Sequence, residues 1–189
     1  MENKLFTQKE IDQNIMFKKI NRQRFSKSNR TVSDIETIKG LVEELPIGGE
    51  IEIISKVFNS PNIVNAFANE IQELYIATWA ITPAGISALE LIGNNGKLEK
   101  CFVLLDKTHS YKWIFTSNAY SVLKGKVKFR FCANHCKFIC FKTSQSYYNF
   151  VGSMNFTNNP RFENIRINDS REDFEFYRDF ISSIKAETL

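Results

Sequence analysis

The spacing of apolar positions changes several times along the chain, and each change marks an element. Residues 50–56 (EIEIISK) alternate in steps of two, which predicts a strand with one covered face. Residues 73–81 (ELYIATWAI) and 98–105 also predict strands. Between them the spacing widens to helical intervals. Asn59-Ser60-Pro61 opens a helix to about residue 71, and Thr82-Pro83 opens a second to residue 92, closed by Gly93 and an Asn-Asn-Gly turn. Proline is tolerated at these early positions because the first helical N–H groups have no intrahelical acceptor. Upstream, Ser33-Asp34-Ile35-Glu36 reads as a capping signal for a short helix over 35–44, which Pro46 and Gly48-Gly49 terminate.

Downstream the order changes. A third helix is predicted over 111–123, ended by Gly125, then strands over 126–132, 136–141, 147–152 and 164–168, and a closing amphipathic helix over 173–185. Strands alternating with helices predict an α/β sandwich with a mixed sheet, and the late run of consecutive strands adds antiparallel hairpins to it. The length of 189 residues, with 17 phenylalanines, suffices for one real core. We divide the chain into a basic N-terminal extension with a short helix, 1–47, and an α/β domain, 48–189.

Charge sharpens that division. The first thirty residues carry eight Lys or Arg against three acidic residues, a surplus of five, while the whole chain is at +4. The remainder is therefore close to neutral, and the extension is either an arm for an anionic polymer or a solvated tail. Ile11, Ile15, Phe17 and Ile20 give it weak amphipathic spacing. No apolar leader opens the chain and no run of eighteen apolar residues occurs, which predicts a cytoplasmic protein without stable membrane association. Cys132, Cys136 and Cys140 surround His135, but on a strand Cys136 and Cys140 fall on the face opposite the histidine and no C-x-x-C pair exists. No metal site is expected from them.

The chemistry concentrates in two short blocks. His135-Cys136-Lys137 is followed, seventeen positions after the histidine, by Gly152-Ser153-Met154-Asn155. On a strand His135 and Lys137 share a face, continued by Ile139 and Phe141, and Ser153 and Asn155 share a face at the end of the next strand. Side by side, the two strands gather an imidazole, an ammonium, a hydroxyl and a carboxamide. That set suits a phosphate: one nucleophile and several donors for its oxygens. Gly152 would let the backbone come close to the anion. The set holds no carboxylate cluster for Mg²⁺, so neither a metal nor another cofactor is expected.

Written as H-x-K followed by G-S-x-N, the blocks resemble the signature of the phospholipase D superfamily, and the likeness extends over roughly residues 48–185. The resemblance implies a phospholipase D-like α-β-α sandwich carrying one motif per chain. By motif position it implies that His135 attacks phosphorus to form a phosphohistidine, that Lys137 and Asn155 hold the non-bridging oxygens with Ser153 and Gly152 at the substrate, and that Glu163 orients a histidine. It also implies a second histidine to protonate the leaving oxygen. His109 is the one other histidine in the chain and stands outside an H-x-K frame, so the second is expected from another copy, in a homodimer. The chain departs from the pattern at Lys142, where the family has an aspartate five residues after the lysine. The expected function is a phosphodiesterase on nucleic acid, DNA ahead of RNA. Two alternatives stay open: a module that grips phosphate or regulates without cleaving, which Lys142 would favour, and a phospholipid-acting enzyme. Trp79, Trp113, Tyr147 and Tyr148 are candidates to stack on bases, against the alternative of ordinary packing.

Overall fold

The computed structural model describes residues 35–45, 48–55, 59–158 and 161–184. The basic section over 1–30, with its amphipathic spacing, lies outside the described residues. In chain order the elements are α1 (Ile35–Glu43), β1 (Glu50–Ser55), α2 (Ser60–Ala66), β2 (Glu73–Thr78), α3 (Pro83–Gly93), β3 (Lys100–Asp106), α4 (Lys112–Thr116), α5 (Ala119–Leu123), β4 (Val127–Cys132), β5 (Phe138–Lys142), β6 (Tyr147–Gly152), β7 (Glu163–Asp169) and α6 (Arg171–Ser183).

Seven strands form one mixed sheet in the order β1-β7-β6-β5-β2-β3-β4. β2, β3 and β4 run parallel, and β5 pairs antiparallel with β2. β6, β7 and β1 continue antiparallel outward. It follows that the C-terminal ends of β2, β3, β4 and β6 and the N-terminal ends of β5 and β7 meet along one rim. Open α/β sheets bind ligands outside the carboxyl ends of their parallel strands.

Alternation along each strand splits the core into two layers. Leu74, Ile76, Val103, Leu105, Ile139, Phe141 and Phe150 face α2, α3 and their neighbours, while Tyr75, Ala77, Leu104, Phe138 and Cys140 face Phe174 and Ile181 of α6. The first layer centres on rings: Phe67 lies 5.0 Å from Phe141, and Phe141 stacks on Phe150 at 5.7 Å. Burying a side chain of this size contributes roughly 1.5–3 kcal/mol. The second layer is anchored at its end by Arg130 of β4, whose Nη1 donates to the carbonyls of Ile181 and Ser182 at 2.9 Å each, filling acceptors that the last turn of α6 leaves open. Val42 of α1 is 1% exposed and belongs to the first layer, and Lys39 pairs with Glu70 beyond α2.

Local chemistry explains where elements begin and break. Asn59 caps α2, its Oδ1 accepting the Asn62 amide at 3.0 Å. Ser170 caps α6 by accepting the Asp173 amide at 3.2 Å. The helix predicted over 111–123 is two short helices: Ser117 turns extended, and its hydroxyl bonds back to the Ile114 carbonyl at 2.7 Å. No helix among the described residues is long and apolar enough to cross a membrane.

Candidate active site

His135 and Lys137 lie at the rim, and not on a strand as the alternation implied: β5 begins at Phe138. The preceding residue accounts for the difference. Asn134 is buried, and its Nδ2 donates to the Thr78 carbonyl at 3.0 Å, its Oδ1 accepts the Cys136 amide at 3.0 Å, and its own amide donates to Asp106 Oδ2 at 2.8 Å. These bonds hold the connection out of the sheet and tie it to the ends of β2 and β3. His135 is thereby left exposed on a fixed loop.

The pairing expected of His135 and Lys137 is present all the same. Lys137 Nζ lies 3.3 Å from Nδ1 and 3.5 Å from Nε2 of His135, and donates to the His135 carbonyl at 3.1 Å. The Gly152 amide donates to the Lys137 carbonyl at 3.3 Å, which joins this pair to the end of β6. There Ser153 Oγ bonds to the Glu163 carboxylate and accepts the Asn164 amide at 3.1 Å. Glu163, cast by resemblance as the partner of a histidine, has a serine as its hydrogen-bond partner. Packing also requires glycine at 152: a Cβ there would stand 1.8 Å from the Asn164 carbonyl oxygen of β7.

Asn155 is half-buried, and its Oδ1 is buried without a hydrogen-bond partner. Its position is set through Phe156. The Phe156 amide donates to Thr78 Oγ1 at 2.8 Å, and its carbonyl accepts the Thr82 amide at 3.3 Å. Gly85 makes room for this close approach: a Cβ would meet Phe156 Cδ1 at 2.7 Å and its carbonyl oxygen at 2.8 Å. Thr78 and Asn134 together therefore bind both motif blocks to the end of β2.

Asp106 completes the support. It is 5% exposed, and its Oδ1 accepts the Thr108 hydroxyl and the Thr108 amide, the latter at 2.8 Å. The Thr108 hydroxyl, with the Asn134 and Thr108 amides, holds its carboxyl below the ordinary value of 3.8. Thr78, Asp106 and Asn134 were not singled out in the sequence. The signals that could have found them are a polar residue ending an apolar strand at 78 and 106, and an asparagine immediately before the motif histidine.

His109 and Lys142 stand elsewhere. His109 packs its ring edge-on against Trp79 at 4.4 Å, with its Nε2 buried and lacking a hydrogen-bond partner. Trp79 in turn lies 6.1 Å from the His135 ring. Lys142 ends β5 at the opposite side of the sheet, a full strand of about 16 Å from the rim. There its Nζ pairs with Glu73 at 3.6 Å, directly across from it in register. Tyr147 and Tyr148 are also far from the rim, at the start of β6, and Tyr148 packs on Phe67 at 5.4 Å. Of the cysteines, Cys101 and Cys140 are buried and burial pushes both thiols up.

No protein-family description and no curated protein sequence matches the chain. Solved structures do match. Polyphosphate kinase from Porphyromonas gingivalis superposes with a TM-score of 0.53 at 12% identity, over 74% of this chain and 27% of the kinase. NucT from Helicobacter pylori superposes with a TM-score of 0.51 at 13% identity, over 73% of this chain and 98% of NucT. The fold is phospholipase D-like. TrmBL2, an archaeal chromatin protein, matches at a TM-score of 0.50 and 14% identity, over 82% of this chain and 59% of that one. The chain thus spans about a quarter of the polyphosphate kinase and nearly all of NucT. In this fold both motif blocks stand at one rim of the sheet.

Proposed function

We propose that the protein is a phosphodiesterase that cleaves nucleic-acid phosphodiester bonds through a phosphohistidine, in a site shared by two copies of the chain. The observation that carries this reading is the contact of Lys137 Nζ with both ring nitrogens of an exposed His135 at the carboxyl rim of a phospholipase D-like sheet. An incoming phosphate oxygen offers the ammonium a better acceptor than the imidazole, so substrate binding frees a ring lone pair beside the phosphorus. His135 then forms the P–N bond as the P–O bond to the leaving group breaks. The second histidine gives its proton to that leaving oxygen, then takes one from the water that displaces His135, which leaves a phosphomonoester. Lys137 and Asn155 hold the non-bridging oxygens, with Ser153 assisting beside them. Glu163 keeps the Ser153 hydroxyl directed.

His109 is a poor second histidine, since its Nε2 is buried behind Trp79. The partner's His135 supplies the acid: a two-fold axis beside the rim would bring both His135 rings to one phosphate through an isologous contact. Nucleic acid is the preferred substrate because the exposed aromatic at the rim suits a base and the chain is basic, with DNA ahead of RNA. The non-cleaving alternative loses the support that Lys142 lent it, because the Lys142–Glu73 pair is a strand's length from His135. Incubation of the full chain with plasmid and with single-stranded DNA tests the reading. Cleavage that disappears in His135→Ala supports it, and binding without cleavage by the native chain would replace it with the module.

A further inference from the structure

We infer that Trp79 is a stacking shelf for the nucleobase next to the scissile phosphate, so the substrate must be unpaired at that position. The inference rests on the proposed phosphodiesterase reading and adds the class of strand it accepts. Trp79 is the first residue beyond β2 and is 38% exposed. An exposed tryptophan alone carries no message, since large apolar side chains occur singly on many surfaces. Its position and fixation distinguish this one. Its ring is 6.1 Å from the ring of His135, so a phosphate at the nucleophile has a π-face beside it. Its carbonyl accepts the Tyr111 hydroxyl at 2.9 Å, and its ring rests on the edge of His109 at 4.4 Å. Tyr111 is itself buried and packs on Phe131.

The shelf is therefore rigid before any ligand arrives, and stacking on it costs little ordering of the protein. Every base has a π-face, so such a shelf binds without reading sequence. A base inside a duplex has both faces covered by its neighbours, and reaches an external ring only after leaving the stack. This also gives His109 a part that needs no proton transfer: it is the support that holds Trp79 upright.

The chain has two tryptophans, so Trp113→Phe leaves Trp79 as the sole reporter. The test uses the full chain carrying His135→Ala and Trp113→Phe, titrated with a single-stranded oligonucleotide, the same sequence as a duplex, and the same backbone with abasic sites throughout. Binding is followed in parallel by anisotropy of a label on the nucleic acid. Saturable quenching of Trp79 by the first alone is the expected result. In the otherwise native chain, Trp79→Ala should weaken single-strand binding about tenfold and leave the abasic strand unchanged, while Trp79→Phe retains most of the affinity. Equal quenching by the duplex or the abasic strand overturns the shelf, as does single-strand binding that Trp79 does not register. Failure of all three to bind would overturn the nucleic-acid reading and the shelf with it, whereas binding without a Trp79 response removes the shelf alone.

Discussion

The hydroxyl of Thr78 accepts the backbone amide of Phe156 at 2.8 Å, across 78 positions of sequence. Through this bond the end of β2 fixes the residue that follows Asn155, and through its carbonyl Thr78 also receives Asn134, next to His135. Thr78→Val keeps the shape and removes the acceptor, leaving a buried N–H unpaired. A loss of about 1–3 kcal/mol is expected in urea unfolding, with Thr78→Ser close to the native chain. Equal stability of the valine variant would show that the Phe156 amide finds another acceptor.

Asp106 supplies the second tie, and its effect depends on pH. Its carboxyl titrates below the ordinary value of 3.8, so the ionised form stabilises the fold above that value. The contribution is lost as pH falls through the lower folded value. Asp106→Asn has one oxygen where the native chain uses two, and should destabilise at pH 7 while flattening the acid limb of the stability curve below pH 4. Urea midpoints from pH 7 down to pH 2.5 measure both effects. A parallel displacement of the whole curve would mean that Asp106 acts through shape and not charge.

Lys142 and Glu73 form a cross-strand pair, with Lys100 Nζ also 3.8 Å from Glu73 and the Tyr75 hydroxyl donating to it at 2.9 Å. Lys142→Asp would place two carboxylates opposite each other, at a cost of roughly 0.5–1 kcal/mol. Cleavage per folded molecule should be unchanged, and a Glu73→Lys, Lys142→Glu exchange should recover part of the stability. A large change in turnover without a change in melting would place Lys142 in the chemistry.

The order of elements was legible in the sequence because apolar spacing reports burial: the strand over 147–152 is found as predicted, and the others fall within a few residues. The helix over 111–123 was misread as continuous because its spacing is helical throughout, and the break at Ser117 is made by a side-chain bond that spacing does not encode. His135, Lys137, Ser153, Asn155 and Glu163 were singled out by resemblance, from residue type and order. Their actual partners were not, because these depend on β5 lying beside β2 and β7 beside β6, neighbours that spacing alone does not specify. Gly152 was noticed for a close approach to an anion; its close approach to the backbone of β7 was not.

The proposed attack by His135 needs imidazole, ammonium and amide groups only, which predicts activity independent of metal. Cleavage should persist in excess EDTA, with an unaltered rate on adding Mg²⁺. Loss on chelation and recovery with Mg²⁺ would contradict attack by His135.

The central claim is that His135 carries the phosphoryl group. The direct measurement is a quench of the native chain in alkaline detergent during turnover of a DNA oligonucleotide uniformly labelled with ³²P, followed by separation of the protein. Label on the protein that survives alkali, is released by acid and is absent from His135→Ala is the expected result. That variant should melt within about 1 kcal/mol of the native chain, since the side chain is exposed. Undiminished cleavage by folded His135→Ala, or label retained by it, would contradict the account.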